Sequence, residues 1–426
     1  MPASNYTSSN ASFLSFKKNG NIISLISKIC ITLLIISAAG ALDAIKEGGA
    51  RAQGIIVYDY NGPLKYINHL LIILSLIGTL ILAKKSIKKE TLLSPPSILL
   101  AFILIALPFS LANAIDLKES TIRVTTLIIA SIISLLIYVK SHSARNGLHY
   151  IHNVFIAINL SSVIMIFLIP SYGISYGDSG YWQGVFNHKN QLGAFSSISA
   201  CISIALFKFH PKISIANLAL AIFLAIGSQS YSSIGTIALV ISLFFISSHL
   251  KFISNLVYTF RVQVLLVSLT LSFTIIYLSI SGVTYNVFGK DTSFTERNLI
   301  WQYSLAKSMD SLFFGHGISS FLASNQKNSS ELFNAVGQEL LSAHNGFITS
   351  FYELGLIGFT FFICWLFFII KSLPSKEAST LPIIFYFISF VIFNTFESKG
   401  IGFNLNFVVL MYFSLFFTSK TATNDR

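Results

Sequence analysis

The sequence predicts an all-α, polytopic integral membrane protein with about twelve transmembrane helices and a long, partly helical outward loop. Three observations carry this. Of 426 residues, 54% are hydrophobic and only 10% are charged, with a mean hydropathy of +0.72, well outside the range of soluble domains. Apolar runs near the ~20 residues that cross a bilayer as helix recur along the whole chain, separated by short polar punctuation. The basic residues form small clusters between those runs, so the net charge of +12 reflects topology and not a nucleic-acid-binding face.

Helices are expected at 22–42, 64–83, 97–115, 122–139, 150–170, 191–207, 213–229, 234–250, 262–281, 346–370, 381–396 and 405–419. In lipid a helix satisfies every backbone polar group within its own segment. Residues 1–21 form a polar tail ending in Lys17 and Lys18, which reads as the inside flank of an uncleaved signal anchor. With that end inside, sixteen of the 28 basic residues fall in inside segments, at least two in each, whereas the only inside acids are Glu90, Glu377 and Asp425. The layout is then a cytoplasmic tail (1–21), nine helices (22–281), a long outward loop (282–345), three helices (346–419) and a second cytoplasmic tail (420–426). Cys30, Cys201 and Cys364 lie in apolar runs with no metal-ligand or disulfide spacing.

Polar, aromatic and ionisable residues concentrate in two outward loops, 171–190 and 282–345, which directs attention to the outer surface. A secondary transporter would need ionisable groups near the midplane and repeated halves. No repeat is visible, and the charges sit at span ends, Lys28 being the deepest.

The loop "SYGISYGDSGYWQGVFNHKN" places Tyr172, Tyr176, Tyr181 and Trp182 beside glycines, as a sugar platform or an interfacial belt would. His188, Lys189 and Asn190 then stand at a helix mouth, either as a solvated helix start or as donors for an anionic headgroup. In the long loop, Ser293 to Glu296 fits a capping box, and Leu299, Tyr303, Ala306, Met309 and Phe313 recur at helical spacing, so an amphipathic helix lying on the membrane or on the bundle is expected. Arg297 falls in its first turn, where the helix dipole disfavours a cation; either it pairs with Glu296 or Asp291 or it meets an anionic partner. His316 tips the turn "GHG".

In "SAHNGFITSFYELGLIGF", helical continuation from His344 puts Gly355 and Gly358 within roughly 40° of its face and points Glu353 the other way. Glycines there would admit a second helix closely. His344 is then either an interface histidine or a group able to take a proton from a hydroxyl. The outward acids show no D-x-D or H-E-x-x-H spacing, so no metal site is expected.

"FNHKNQLG", "ERNLIWQYSLAKSMDSLFFGHGISSF" and "AHNGFITSFYELGLIGF", in this order, resemble the O-antigen ligase and polymerase superfamily of bacterial membrane glycosyltransferases, over about Gly184 to Phe359. His344, Asn345, Gly355 and Gly358 fit its pattern of His, Asn/Ser/Gln, nine residues, Gly, two residues, Gly/Thr/Tyr. The resemblance implies an enzyme on the periplasmic side of the bacterial inner membrane, moving a glycan from an undecaprenyl-diphosphate-linked donor to a hydroxyl acceptor without cofactor or metal. By the same carry-over, His344 acts on the acceptor hydroxyl and Arg297 holds the diphosphate. His188, Lys189, Asn190, His316 and Asn345 are substrate contacts, and Gly355 and Gly358 are structural. Many relatives place a basic residue where this chain has Tyr231, leaving Lys189, Arg297 or Arg123 to do that work. The "HKN" loop is more similar to the polymerases; attachment to a lipid A core or to protein is the alternative, and a lipid-linked oligosaccharide transporter is the competing class. The implied partners are the lipid-linked donor, a glycan or lipid A core acceptor, membrane lipids, and a chain-length regulator or flippase, with no nucleic acid.

Overall fold

The structure, a computed structural model, describes residues 25–26, 28–46, 66–82, 95–140, 144–175, 180–281, 286–287, 290–291, 297–321, 343–373, 380–397 and 404–416. The helices are α1 (Lys28–Ala39), α2 (Ile67–Leu82), α3 (Pro95–Ser110), α4 (Leu117–Lys140), α5 (Ala144–Leu168), α6 (Lys189–Leu206), α7 (Pro211–Ser228), α8 (Tyr231–His249), α9 (Lys251–Thr259), α10 (Arg261–Ile280), α11 (Arg297–Ser308), α12 (Gly346–Ser372), α13 (Thr380–Phe396) and α14 (Leu405–Phe416). Each of the twelve expected segments holds a helix. Among the described residues, five helices are long and apolar enough to cross a membrane: His149–Leu168 within α5, α7, α8, α10 and α12. The long loop contributes α11 and a two-residue antiparallel ladder, Asn286–Val287 with Lys290–Asp291. Residues 322–342, and with them Glu331 and Glu339, lie outside the described residues, as does the capping box 293–296.

Helix α6 is buried from Leu192 to Leu206 although it is rich in Ala and Ser, because small side chains let α5, α7, α8 and α13 approach it closely. Two of its serines are hydrogen-bonded across the bundle: Asn159 Nδ2 donates to Ser199 Oγ at 2.9 Å and to Asn217 Oδ1 at 2.9 Å, and Asn217 Nδ2 donates to Ser203 Oγ at 2.9 Å. The outer surface carries Val267, Leu271 and Tyr277 of α10, all exposed, an arrangement suited to acyl chains.

One expectation about the loops changes. The segment 251–261 is not a plain connector: α9 lies there with Phe252, Leu256 and Phe260 exposed along one stripe, the pattern of a helix lying in the membrane interface. Helix α11 forms where expected. Ile300, Trp301, Ser304 and Ser308 are buried, while Leu299, Met309 and Phe313 are exposed, so the expected apolar stripe is turned away from the bundle.

Candidate active site

The C-terminal end of α13 is where the separate stretches of sequence meet. The last carbonyls of a helix have no partner in their own helix, and here side chains from distant segments supply the donors. Asn345 Nδ2 donates to the Thr395 carbonyl at 2.9 Å, and Arg297 Nη1 donates to the Phe396 carbonyl. The next residue, Glu397, accepts from Asn190 Nδ2 on Oε1 at 3.2 Å and pairs with Arg297 Nη2 at 3.8 Å. Thr395 Oγ1 donates to Ser272 Oγ at 2.8 Å, tying this end to α10. Three consecutive residues, Thr395 to Glu397, therefore join Asn190, Arg297 and Asn345.

Glu397 was not singled out from the sequence. Its signal is an acid just past an apolar helix in a chain with only 16 acids. Among the described residues Arg297 pairs with Glu397; of the two acids expected beside it, Glu296 lies outside the described residues. The guanidinium is mostly covered, its side chain 21% exposed; burial pulls its pKa below the ordinary arginine value, and the Glu397 charge opposes that fall. Its place in the first turn of α11 is unfavourable for a cation, but the C-terminal end of α13 is a favourable one, where the dipole presents negative charge.

The "HKN" side chains divide their work. His188 caps α6, its Nδ1 accepting the Asn190 N–H at 3.1 Å, so a neutral ring carries its proton on Nε2. Lys189 Nζ sits 3.4 Å from the Tyr181 ring centroid, a cation–π contact. Asn190 reaches Glu397. All three are half-buried. Tyr231 is exposed at the start of α8, and Arg123 pairs on the surface with Glu119 at 2.7 Å.

His344 does not lie in a helix. Asn345 is the N-cap of α12, its Oδ1 accepting from the Phe347 and Ile348 N–H groups at 3.0 Å each, and His344 precedes it with φ +50°. That conformation is uncommon outside glycine and is held from the neighbouring residue: the Ala343 carbonyl accepts from Trp301 Nε1 at 2.9 Å and the Ala343 N–H donates to Thr349 Oγ1 at 3.3 Å. The half-buried His344 is thus placed beside the α11–α12 junction, next to Asn345 and the end of α13.

The shared helical face of His344, Gly355 and Gly358 is corrected on two counts. The helix starts after His344, and it breaks at Gly355 (φ +63°, ψ −171°), so phase is not carried from one end of the stretch to the other. The break leaves backbone groups of α12 unpaired, and the loop after α11 fills them. His316 N–H donates to the Tyr352 carbonyl at 3.0 Å, Gly317 N–H to the Glu353 carbonyl at 3.0 Å, Leu356 N–H to the Leu312 carbonyl at 2.7 Å and Ile357 N–H to the Phe313 carbonyl at 3.2 Å. A Cβ on Gly355 would lie 2.5 Å from the Gly315 nitrogen; the two chains touch backbone to backbone, and both glycines have positive φ. Gly358 is buried, and a Cβ there would meet Leu354 of its own helix, not another helix.

His316 belongs to this plug. It is buried, its ring lies 4.7 Å from the Tyr352 ring and its Nε2 is 2.9 Å from the Lys307 carbonyl. Its described contacts join it to the helix break and not to the cluster at Glu397. The loop is gripped from a third side by the α3–α4 connection, where Asn113 Nδ2 donates to Ser311 Oγ and Ser120 Oγ to the Ile318 carbonyl, each at 2.8 Å.

A family model described as O-antigen ligase matches residues 216–363, from within α7 into α12. Over this segment the chain is similar to the O-antigen ligase family. No curated protein matches the chain. The family segment holds Arg297, His316, His344, Asn345, Gly355 and Gly358; His188 to Asn190 and Glu397 lie on either side of it, and Asn190 and Glu397 reach Arg297 through the contacts above. The O-antigen ligase family implies a membrane enzyme of glycan transfer, with a lipid-linked glycan and an acceptor as substrates, and the apolar helices agree with a membrane protein.

Proposed function

We propose that this protein is a polymerase-type glycosyltransferase that moves a glycan from undecaprenyl diphosphate to a hydroxyl of a second glycan at the periplasmic face of the inner membrane. The observation that carries the reading is the meeting of Asn190, Arg297 and Asn345 at the end of α13. In this reading all twelve helical segments span the membrane, both termini are cytoplasmic, and the loop 282–345 covers the site from the periplasm.

The acceptor hydroxyl attacks the anomeric carbon of the donor, forming the new glycosidic bond. The bond from that carbon to the diphosphate oxygen breaks, and undecaprenyl diphosphate departs with the electron pair. His344 accepts the hydroxyl proton or orients the hydroxyl. Arg297 stabilises the charge growing on the leaving diphosphate; a guanidinium has five N–H donors, and its described contacts engage two of its nitrogens. Lys189 supplies a second cation, with His188 and Asn190 shaping that side. His316 acts at a distance, through the helix break. Direct attack inverts the anomeric configuration, and the reaction needs neither nucleotide nor metal.

Ligation of finished polysaccharide to a lipid A core is the second reading, favoured by the description of the matched family. Deleting the gene and resolving lipopolysaccharide and secreted polysaccharide on gels separates the two. Loss of long chains with single repeat units still attached to the core supports the polymerase; loss of all attached glycan with lipid-linked polymer accumulating supports the ligase. Unchanged glycans would contradict both, and lipid-linked oligosaccharide crossing liposomes without new glycosidic bonds would indicate a transporter.

A further inference from the structure

The proposed chemistry gives no role to the buried carboxyl of Glu353. Glu353, on the half of α12 that follows His344, is 7% exposed, and its Oε1 accepts the Ser319 N–H at 2.9 Å. Ser319 has φ +65°, rare for a side-chain-bearing residue. It ends the loop that plugs the break at Gly355, just beyond the last backbone bond from that loop, Gly317 to the Glu353 carbonyl. The Glu353 side chain thus extends the backbone clamp by one further bond, at the point where the loop turns.

We propose that Glu353 is a positioning residue for glycan transfer: by holding the Ser319 turn it locks the loop, and through it α11, against the first half of α12, and so fixes the separation of Arg297 and His344. This rests on the transfer reading above. Two side-chain hydrogen bonds then bind the two segments, one at each end, beside the four backbone bonds between residues 312–317 and α12. Trp301, one turn after Arg297, donates to the carbonyl of Ala343, the residue before His344; Glu353 makes the second tie beyond the far end of α11. Between them Ile300, Phe321, Ile348 and Tyr352 form one buried apolar cluster. Without the Glu353 bond the Ser319 turn loses its side-chain anchor, the backbone bonds alone hold the far end of α11, and Arg297 can shift relative to His344. Displacements of about 1 Å between reacting groups cost on the order of 100-fold in rate, so a modest loosening is enough to register.

The role requires an acceptor oxygen at the right reach and does not require charge. Glu353→Gln keeps the acceptor, Glu353→Asp keeps the charge but withdraws the oxygen by one methylene, and Glu353→Leu removes both. Each full-length variant is reconstituted in liposomes and assayed with an undecaprenyl-diphosphate-linked glycan, reading kcat and KM separately. The expected order in kcat is wild type and Gln together, then Asp, then Leu, with Leu down about 30-fold and donor KM within about 3-fold throughout. Gln falling to the level of Leu, Leu matching wild type, or the loss appearing in KM alone would each overturn the proposal. If Leu does not accumulate in the membrane, the Gln and Asp pair decides: Asp below Gln supports positioning, and Asp equal to or above Gln contradicts it. A wild type that makes no product in the same assay counts against the transfer reading itself.

Discussion

Two arginines cap the C-terminal ends of neighbouring helices, and their surroundings differ in an instructive way. Arg261 sits at the end of α12, donating from Nε to the Ile370 carbonyl, from Nη2 to the Lys371 carbonyl and from Nη1 to the Tyr258 carbonyl, each at 3.0 Å. Every one of those partners is a backbone carbonyl, so its work is to close a helix end. Arg297 makes the same kind of cap at the end of α13, but shares it with Glu397, Asn190 and Asn345 and stands near a histidine in an uncommon backbone conformation. A cap alone needs none of those additions. The same element of helix chemistry thus serves structure at one end of the bundle and, with polar groups from three further segments, makes a site at the other.

The comparison breaks or sharpens under substitution. The largest effect is expected from Arg297→Ala, which should lower glycan transfer more than about 100-fold while the protein still inserts, as loss of a charge stabilising the leaving group does; Arg261→Ala should instead cost about 1–3 kcal/mol of stability and leave transfer per folded molecule unchanged, as read by thermal unfolding in detergent beside the transfer assay. Equal losses of activity in both variants would erase the distinction. Glu397→Gln should come next, about 10-fold down in kcat, because the amide keeps the Asn190 contact but releases Arg297 from its ion pair. Asn345→Ala should cost about 1 kcal/mol by removing the N-cap of α12, visible as a lower unfolding temperature. Tyr181→Leu should be smallest, removing a cation–π contact of roughly 0.5–1 kcal/mol and changing donor KM more than kcat.

Much of the helix placement was legible because hydropathy acts locally: each of the twelve expected segments holds a helix, with ends shifted by a few residues. The stripe Leu299, Met309 and Phe313 left two surfaces open, the membrane or the bundle, and the structure turns it away from the bundle. What failed was the argument that carried helical phase across a boundary. Gly355 was read as a contact on a continuous helix, but a positive φ there resets the phase, and the GHG turn that looked unremarkable alone is what completes the broken backbone. Within the site, His188 to Asn190, Arg297, His344 and Asn345 stood out in the sequence. Glu397 did not, because its partner Asn190 is 207 residues away and no local spacing links them.

The central claim is that the cluster at the end of α13 carries out glycan transfer. Its most direct test is purified protein in liposomes, given an undecaprenyl-diphosphate-linked repeat unit, with the product resolved by size and the wild type compared with His344→Ala. The account predicts longer glycan and released undecaprenyl diphosphate from the wild type, and product below about one-hundredth of that level from the variant, the range expected for loss of a proton-accepting group. Wild-type yield from His344→Ala would contradict it.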